Sequence, residues 1–315
     1  SSNFFKKNKL TRKIYKIIQK KNIEKMDSRF EEFRKEYLNL TEEYNTTEEL
    51  RKTLKNFDVF CTGSDQVWGK VGNDEFDENY FLNFVDKDKK CISYGASFGK
   101  TDLSTSLLNN IKALTDKYEF LLVREDSAKN FLIANGVNNV EQVLDPTLLL
   151  SREDWEKIIR NDVKIHKKPY ILVYQLHHNK KFENYVRYIQ KKLKITVYRV
   201  NPSIYFLFKP GKFVYLPTPS EFLNLIKNAE YVLTDSFHGT VFSLIFNKKF
   251  IDFLPKTTGT RITSLLNQFG LNERIIDDLE NIKILQEDID YSEVNEILDR
   301  DRKKSISLLK GVLDE

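Results

Sequence analysis

Apolar residues follow two rhythms along this chain. Short unbroken runs rich in Val, Ile, Phe and Tyr alternate with longer stretches whose apolar positions recur every three or four residues. The first rhythm predicts buried strands and the second amphipathic helices. Strands are expected at 57–62, 91–97, 120–123 and 140–144. A second set is expected at 170–175, 195–200, 214–216, 231–234 and 250–254. Helices are expected between them at 103–115, from Arg124 to about 136, around Trp155, and at 179–193 and 219–228. Further helices are expected from Gly239 onward, at 261–270 and at 286–309. Ahead of the first strand, Leu10, Ile14, Tyr15, Ile17 and Ile18 share roughly one helical face. Phe30, Phe33, Tyr37 and Leu38 continue that period over 27–44, and Thr46-Thr47-Glu48-Glu49 announces a short capped helix.

Strand, helix, strand with short links argues parallel sheets covered on both faces. Residues 166–169 read as a linker. The expected fold class is therefore α/β, with two Rossmann-like domains and a central cleft. The first domain takes in 1–165, led by a basic helical segment 1–56. The second is 166–285, and 286–315 forms a C-terminal helix.

Charge sharpens this picture in one place. The net charge is +5 over 315 residues, yet residues 1–25 hold nine Lys or Arg against the single acid Glu24. The remainder is slightly acidic, so a nucleic-acid partner is not expected. A basic amphipathic helix suits either an anionic membrane surface or packing by one side, and the second reading is favoured. No apolar stretch approaches the roughly 20 residues of a membrane span. Cys61 and Cys91 both lie in strand-like runs, which fits buried thiols in a reducing cytoplasm. No metal-ligand spacing is present, and no metal or other cofactor is expected.

Ligands of open parallel sheets bind outside the carboxyl ends of the strands. What stands there is Gly63–Gln66, Ser97–Gly99, Arg124, Asp145, Gln175–His178 and Ser236–Thr240. The corner 234–240 joins a strand to a helix through Asp235, Ser236, Phe237 and His238, with Gly239 allowing a close backbone approach. Free N–H groups at such a helix start suit an anion, and a His there suits proton transfer. Arg124, His238 and Arg261 together could fix a phosphate and a carboxylate, although Arg124 is equally suited to pairing with Glu125 or another acid. Asp145 before Pro146 is most simply a turn residue, and His177 and His178 read as rim residues.

These junctions carry a family resemblance. Cys-Thr-Gly-Ser-Asp-Gln-Val-Trp (61–68), Ser-Tyr-Gly-Ala-Ser-Phe-Gly (93–99), Val-Arg-Glu-Asp-Ser (123–127), Leu-Asp-Pro-Thr-Leu-Leu-Leu (144–150) and Thr-Asp-Ser-Phe-His-Gly-Thr-Val-Phe-Ser (234–243) resemble the polysaccharide pyruvyl transferases. Thr-Arg-Ile-Thr-Ser-Leu-Leu (260–266) through 274 resembles the same family. The resemblance implies a GT-B-like fold and transfer of pyruvate, as a ketal, from phosphoenolpyruvate to a sugar of a cell-surface polysaccharide or its precursor. Phosphoenolpyruvate is then the donor substrate, and a sugar or lipid-linked oligosaccharide is the acceptor. By position, Arg124 and His238 resemble donor-contacting residues, and Arg261 lies in a matching segment. His238 is expected as acid or phosphate clamp, and Asp65 as the group that orients or deprotonates the acceptor. Ser64, Ser236, Gly239 and Thr240 are expected, with the two arginines, to bind substrate. The implied location is cytoplasmic, at the inner face of the membrane if residues 1–25 make peripheral contact there. Members of the family usually begin with a strand, an Asn-x-Gly loop and a helix, and no such segment precedes Asp58. A thinner acceptor-side wall is expected for that reason. Two other readings compete: a glycosyltransferase of similar architecture with a nucleotide diphosphate at 236–240, and a non-catalytic scaffold of the same fold.

Overall fold

The computed structural model describes residues 9–69, 76–99, 105–160, 168–255, 259–276 and 282–314. Helix α1 (Lys9–Tyr37) runs unbroken and stops short of the expected 44. Asn39 and Thr41 follow, residues whose side chains compete with helical backbone bonds. The next helix, α2 (Thr47–Thr53), starts where the capping signal places it, with the Thr46 hydroxyl accepting from Glu49 N.

The first sheet holds β1 (Val59–Thr62), β2 (Lys90–Ala96), β3 (Tyr118–Val123) and β4 (Val140–Gln142), all parallel and in chain order. Helices α3 (Thr105–Thr115) and α4 (Asp126–Ala134) make its crossovers, and α5 (Arg152–Ile158) follows. Residues 103 and 104 of the expected third helix lie outside the described residues. The sheet's core gathers around Trp68, whose ring stacks on Phe81 at 5.2 Å and whose indole N–H donates to Tyr80 O.

The second sheet holds β5 (Tyr170–Tyr174), β6 (Thr196–Asn201), β7 (Lys212–Tyr215), β8 (Tyr231–Thr234) and β9 (Lys249–Asp252). Every pairing is parallel, in the order β7-β6-β5-β8-β9. Helices α6 (Lys180–Leu193), α7 (Pro219–Lys227), α8 (Phe237–Ile245) and α9 (Thr260–Gln268) cover its faces. The central strands β5 and β8 were visible in the sequence because a strand buried on both faces is apolar throughout. Strand order grows one way through β6 and β7 and the other way through β8 and β9. The reversal falls between β5 and β8.

After the short α10 (Lys283–Gln286), helix α11 (Tyr291–Asp314) returns to the first sheet instead of standing apart. Ser305 Oγ accepts from Leu144 N at 3.0 Å, Arg302 Nε donates to Leu148 O at 2.9 Å, and Lys90 Nζ donates to Val312 O at 2.8 Å. One buried cluster joins Leu144 and Leu148 to Leu172, Val232 and Phe250 of the second region. The described part of α1 lies along the second region, with Lys25 over the Tyr215 ring and Arg29 Nη1 4.0 Å from Glu221 Oε2, and Arg160, ahead of β5, pairs with its Glu32 and Glu36. The expected membrane contact of residues 1–25 falls mostly on side chains outside the described set. No helix among the described residues is long and apolar enough to cross a membrane.

Candidate functional site

Arg124 follows β3 directly, and carboxylates take its donors from three directions. Nε donates to Glu125 Oε1 at 2.9 Å, Nη1 to Asp145 Oδ2 at 2.9 Å and Nη2 to Asp65 Oδ1 at 3.1 Å. The three acids stand after β1, β3 and β4, so the parallel sheet converges them at one end. The guanidinium lies over the Phe237 ring at 4.4 Å, from the second region. Burial alone would weaken the charge, but Glu125 and Asp145 push the Arg124 pKa above its ordinary value. Burial holds the Glu125 carboxyl above the usual range against the pull of Arg124. Of the two parts open to Arg124, ion pairing occupies all three of its nitrogens here. Asp145 is a turn residue as expected, accepting from Thr147 N, and is also an anchor of this cluster.

Arg261 reaches the cluster from α9. Its Nη1 donates to the same Asp65 oxygen at 3.1 Å, and its guanidinium stands 5.8 Å from the Phe237 ring centre. Its Nε is buried with no hydrogen-bond partner. Burial and the neighbouring Arg124 lower the Arg261 pKa, with Asp65 opposing. Asp65 Oδ1 is thus held between two guanidinium groups, one from each half of the molecule. Burial would raise its pKa, yet Arg124, Arg261 and His238 keep it below the ordinary carboxylate value. A carboxylate so stabilised is a poor proton acceptor. Its loop is tightly specified. A Cβ on Gly63, at φ +121°, would sit 2.1 Å from Tyr94 O, and Asp65 itself has φ 68°. Ser64, between them, is half-buried against Gly95.

His238 is the second residue of α8, which begins two residues earlier than the sequence suggested. Glycine weakens a helix interior, so Gly239 read as part of a turn. The structure packs it on β8 instead: a Cβ there would lie 2.2 Å from Thr234 Oγ1. Ser236 caps the helix by position but makes no side-chain capping bond, and its hydroxyl is shared with the Tyr174 phenol. Thr240 is fully buried, its hydroxyl bonded to both Asp252 oxygens at 2.9 and 3.0 Å. Gly239 and Thr240 therefore build the corner from inside, while His238 remains half-buried at its surface. Burial lowers the His238 pKa, the charges of Asp145 and Asp65 oppose this, and Arg124 and Arg261 add to it. Arg124, Arg261, Asp65 and His238 thus stand within electrostatic reach of one another. Beside them, Glu125, Asp145, Phe237 and Gln268 line a narrow crevice of about 10 Å³ with the two arginines. Phe237 is the residue that sequence reasoning passed over, because an apolar residue between Ser236 and His238 reads as core. Residues 256–258, ahead of α9, lie outside the described set. Among the described residues, no group of three or more His, Cys, Asp or Glu side chains could hold a metal ion.

Solved structures show where such a fold recurs. A UDP-N-acetylglucosamine 2-epimerase from Rickettsia bellii aligns with TM-score 0.52 and 14% identity, covering 85% of this chain and 78% of that one. The S. aureus MnaA–UDP structure aligns with TM-score 0.52 and 15% identity, over 87% and 77%. UDP-GlcNAc 2-epimerase from Neisseria meningitidis aligns with TM-score 0.51 and 11% identity, over 88% and 85%. At these identities the likeness is one of fold, α/β with Rossmann-like domains in a GT-B-like arrangement. No curated protein matches. The family model for polysaccharide pyruvyl transferase matches residues 1–254, which include β1 to β9, Asp65, Arg124 and His238, and the chain belongs to the polysaccharide pyruvyl transferase family.

Proposed function

We propose that this transferase takes phosphoenolpyruvate as donor and sets its pyruvyl group, as a ketal, on two hydroxyls of a sugar in a polysaccharide precursor. The observation that carries the reading is Asp65 Oδ1, seated 3.1 Å from Arg124 and 3.1 Å from Arg261. Two guanidiniums from opposite halves converging on one carboxylate oxygen form an anion seat, and here the chain's own side chain fills it. The buried, unpartnered Nε of Arg261 leaves a further donor beside that seat. The uncapped N-terminus of α8 offers backbone N–H groups nearby. A donor carboxylate displaces Asp65 from Arg261, and the phosphate lies toward α8. In this reading Asp65 is a stand-in for the ligand, in place of the orienting or deprotonating part expected of it. His238, neutral near pH 7, takes a proton from an acceptor hydroxyl and delivers it to the methylene carbon. A lipid-linked acceptor would bring the protein to the inner face of the membrane, where basic residues 1–25 meet anionic headgroups.

Calorimetric titration with phosphoenolpyruvate, UDP-sugars and GDP-sugars tests the reading. Binding of phosphoenolpyruvate is expected, tightened about five- to tenfold in Asp65→Asn, which no longer competes for Arg261. Mass spectrometry of sugars incubated with the donor should show the pyruvate adduct. Tight binding of a nucleotide sugar with none of phosphoenolpyruvate would turn the assignment to the glycosyltransferase reading.

A further inference from the structure

Buried polar groups need partners, and the second sheet supplies an unusual run of them at one end. Gln175 and Arg199 are fully buried, and Arg199 Nη1 donates to Gln175 Oε1 at 2.7 Å. Burial lowers the Arg199 pKa to about 10. Asn201 Nδ2 donates to Gln175 O, and Gln175 Nε2 donates to His177 O at 2.8 Å. From the other side, Asp235 accepts Leu176 N at 2.6 Å and His177 N at 2.9 Å. Asp235 Oδ2 also stands 3.3 Å from His177 Nδ1. These bonds converge on the backbone and one ring nitrogen of His177. The Asp235 side chain is 2% exposed, whereas that of His177 is 47% exposed. One nitrogen is therefore held from below, and the rest of the ring is presented outward.

The place matters as much as the pair. His177 follows β5 and Asp235 follows β8, the neighbours between which strand order reverses. Ligands of open parallel sheets lodge at that reversal. Asp235 also immediately precedes the Ser236 cap of α8, on the same corner as His238.

Ketal formation makes two proton demands. Two C2–O bonds form, while the C2–C3 π bond and the C2–O bond to phosphate break. One hydroxyl proton ends on C3, which becomes a methyl group, and the other leaves on the phosphate as HPO₄²⁻. His238 accounts for the first transfer. We propose that His177, aimed by Asp235, is the second proton carrier, taking the second hydroxyl's proton as phosphate departs. This inference rests on the pyruvyl-transfer reading above. A carboxylate on Nδ1 fixes the tautomer that leaves Nε2 free to accept.

The test uses the full chain, His177→Gln and Asp235→Asn, phosphoenolpyruvate, and a panel of p-nitrophenyl glycosides as acceptor probes. His177→Gln should bind phosphoenolpyruvate within about twofold of wild type while forming adduct about 10²–10⁴-fold more slowly. Imidazole ¹⁵N spectra of the wild type should show His177 protonated on Nδ1 and bare on Nε2, a pattern lost in Asp235→Asn. Adduct formation at the wild-type rate in His177→Gln overturns the proposal. So does a loss of donor affinity in step with turnover, or a wild-type ring protonated on Nε2. A wild type that neither binds the donor nor forms adduct overturns the functional reading itself, and this inference with it.

Discussion

The two sheets solve the problem of building a mouth in opposite ways. In the first, strand order never reverses, and its end is sealed by Arg124 with Asp65, Glu125 and Asp145. In the second, order reverses between β5 and β8, and the open place is lined by hydrogen-bonded polar groups and the start of α8. The first half thus contributes fixed charge locked into pairs, and the second contributes imidazoles and free backbone donors. Arg261 ties them together through Asp65. A charge cluster without a reversal is a wall, and a reversal without fixed charge has little to orient an anion. The candidate site needs both.

The largest effect that would break this contrast comes from the wall. Arg124→Met leaves three carboxylates facing one another, two of them buried, and should cost about 3–5 kcal/mol in denaturant unfolding. A loss under about 1 kcal/mol would mean that the cluster is not the first half's keystone. Gly239→Ala probes the other half. Its methyl group meets Thr234 Oγ1, so α8 must shift from β8, with an expected cost of about 1–3 kcal/mol. The same variant should weaken donor binding, whereas one on the outer turn of α8 should not.

The smallest effect concerns pH. Burial raises the Asp252 pKa well above its ordinary value, with Thr240 bonds opposing. Asp235 is raised too, by burial, against its backbone donors and His177. A raised carboxyl pKa favours the native state fully below the unfolded value, and that contribution is lost as pH rises through the folded value. His238 works in the opposite sense: its depressed pKa removes stability as pH falls below the ordinary histidine range. Asp252→Asn should flatten the loss of stability between acid and neutral pH and leave the His238 limb intact. Unfolding curves from pH 4 to 8 decide it, and an unchanged slope would show that Thr240 alone keeps Asp252 ionised.

Much of this fold was legible because its central strands are buried on both faces and so are written as unbroken apolar runs, as in Tyr170–Tyr174 and Tyr231–Thr234. The Thr46 cap was legible because its bond closes within three residues. Contacts between distant positions were not. Asp65 and Arg261 lie 196 residues apart and His177 and Asp235 lie 58 apart, and no local pattern marks either pair. His177 and His178 looked alike as rim residues. The buried neighbour Asp235 separates the first from the second, which stacks on Phe206. The return of α11 was equally hidden, since a charged amphipathic helix does not say which surface it will cover.

That return has a mechanical consequence. Because α11 comes back to rest on Leu144 and Leu148, the polypeptide passes between the halves twice, once ahead of β5 and once ahead of α11. The C-terminal helix thereby anchors the very segment, Leu144 to Leu148, that shares a buried cluster with Leu172, Val232 and Phe250. Cutting the chain ahead of α11 should therefore loosen both halves together, not the first alone.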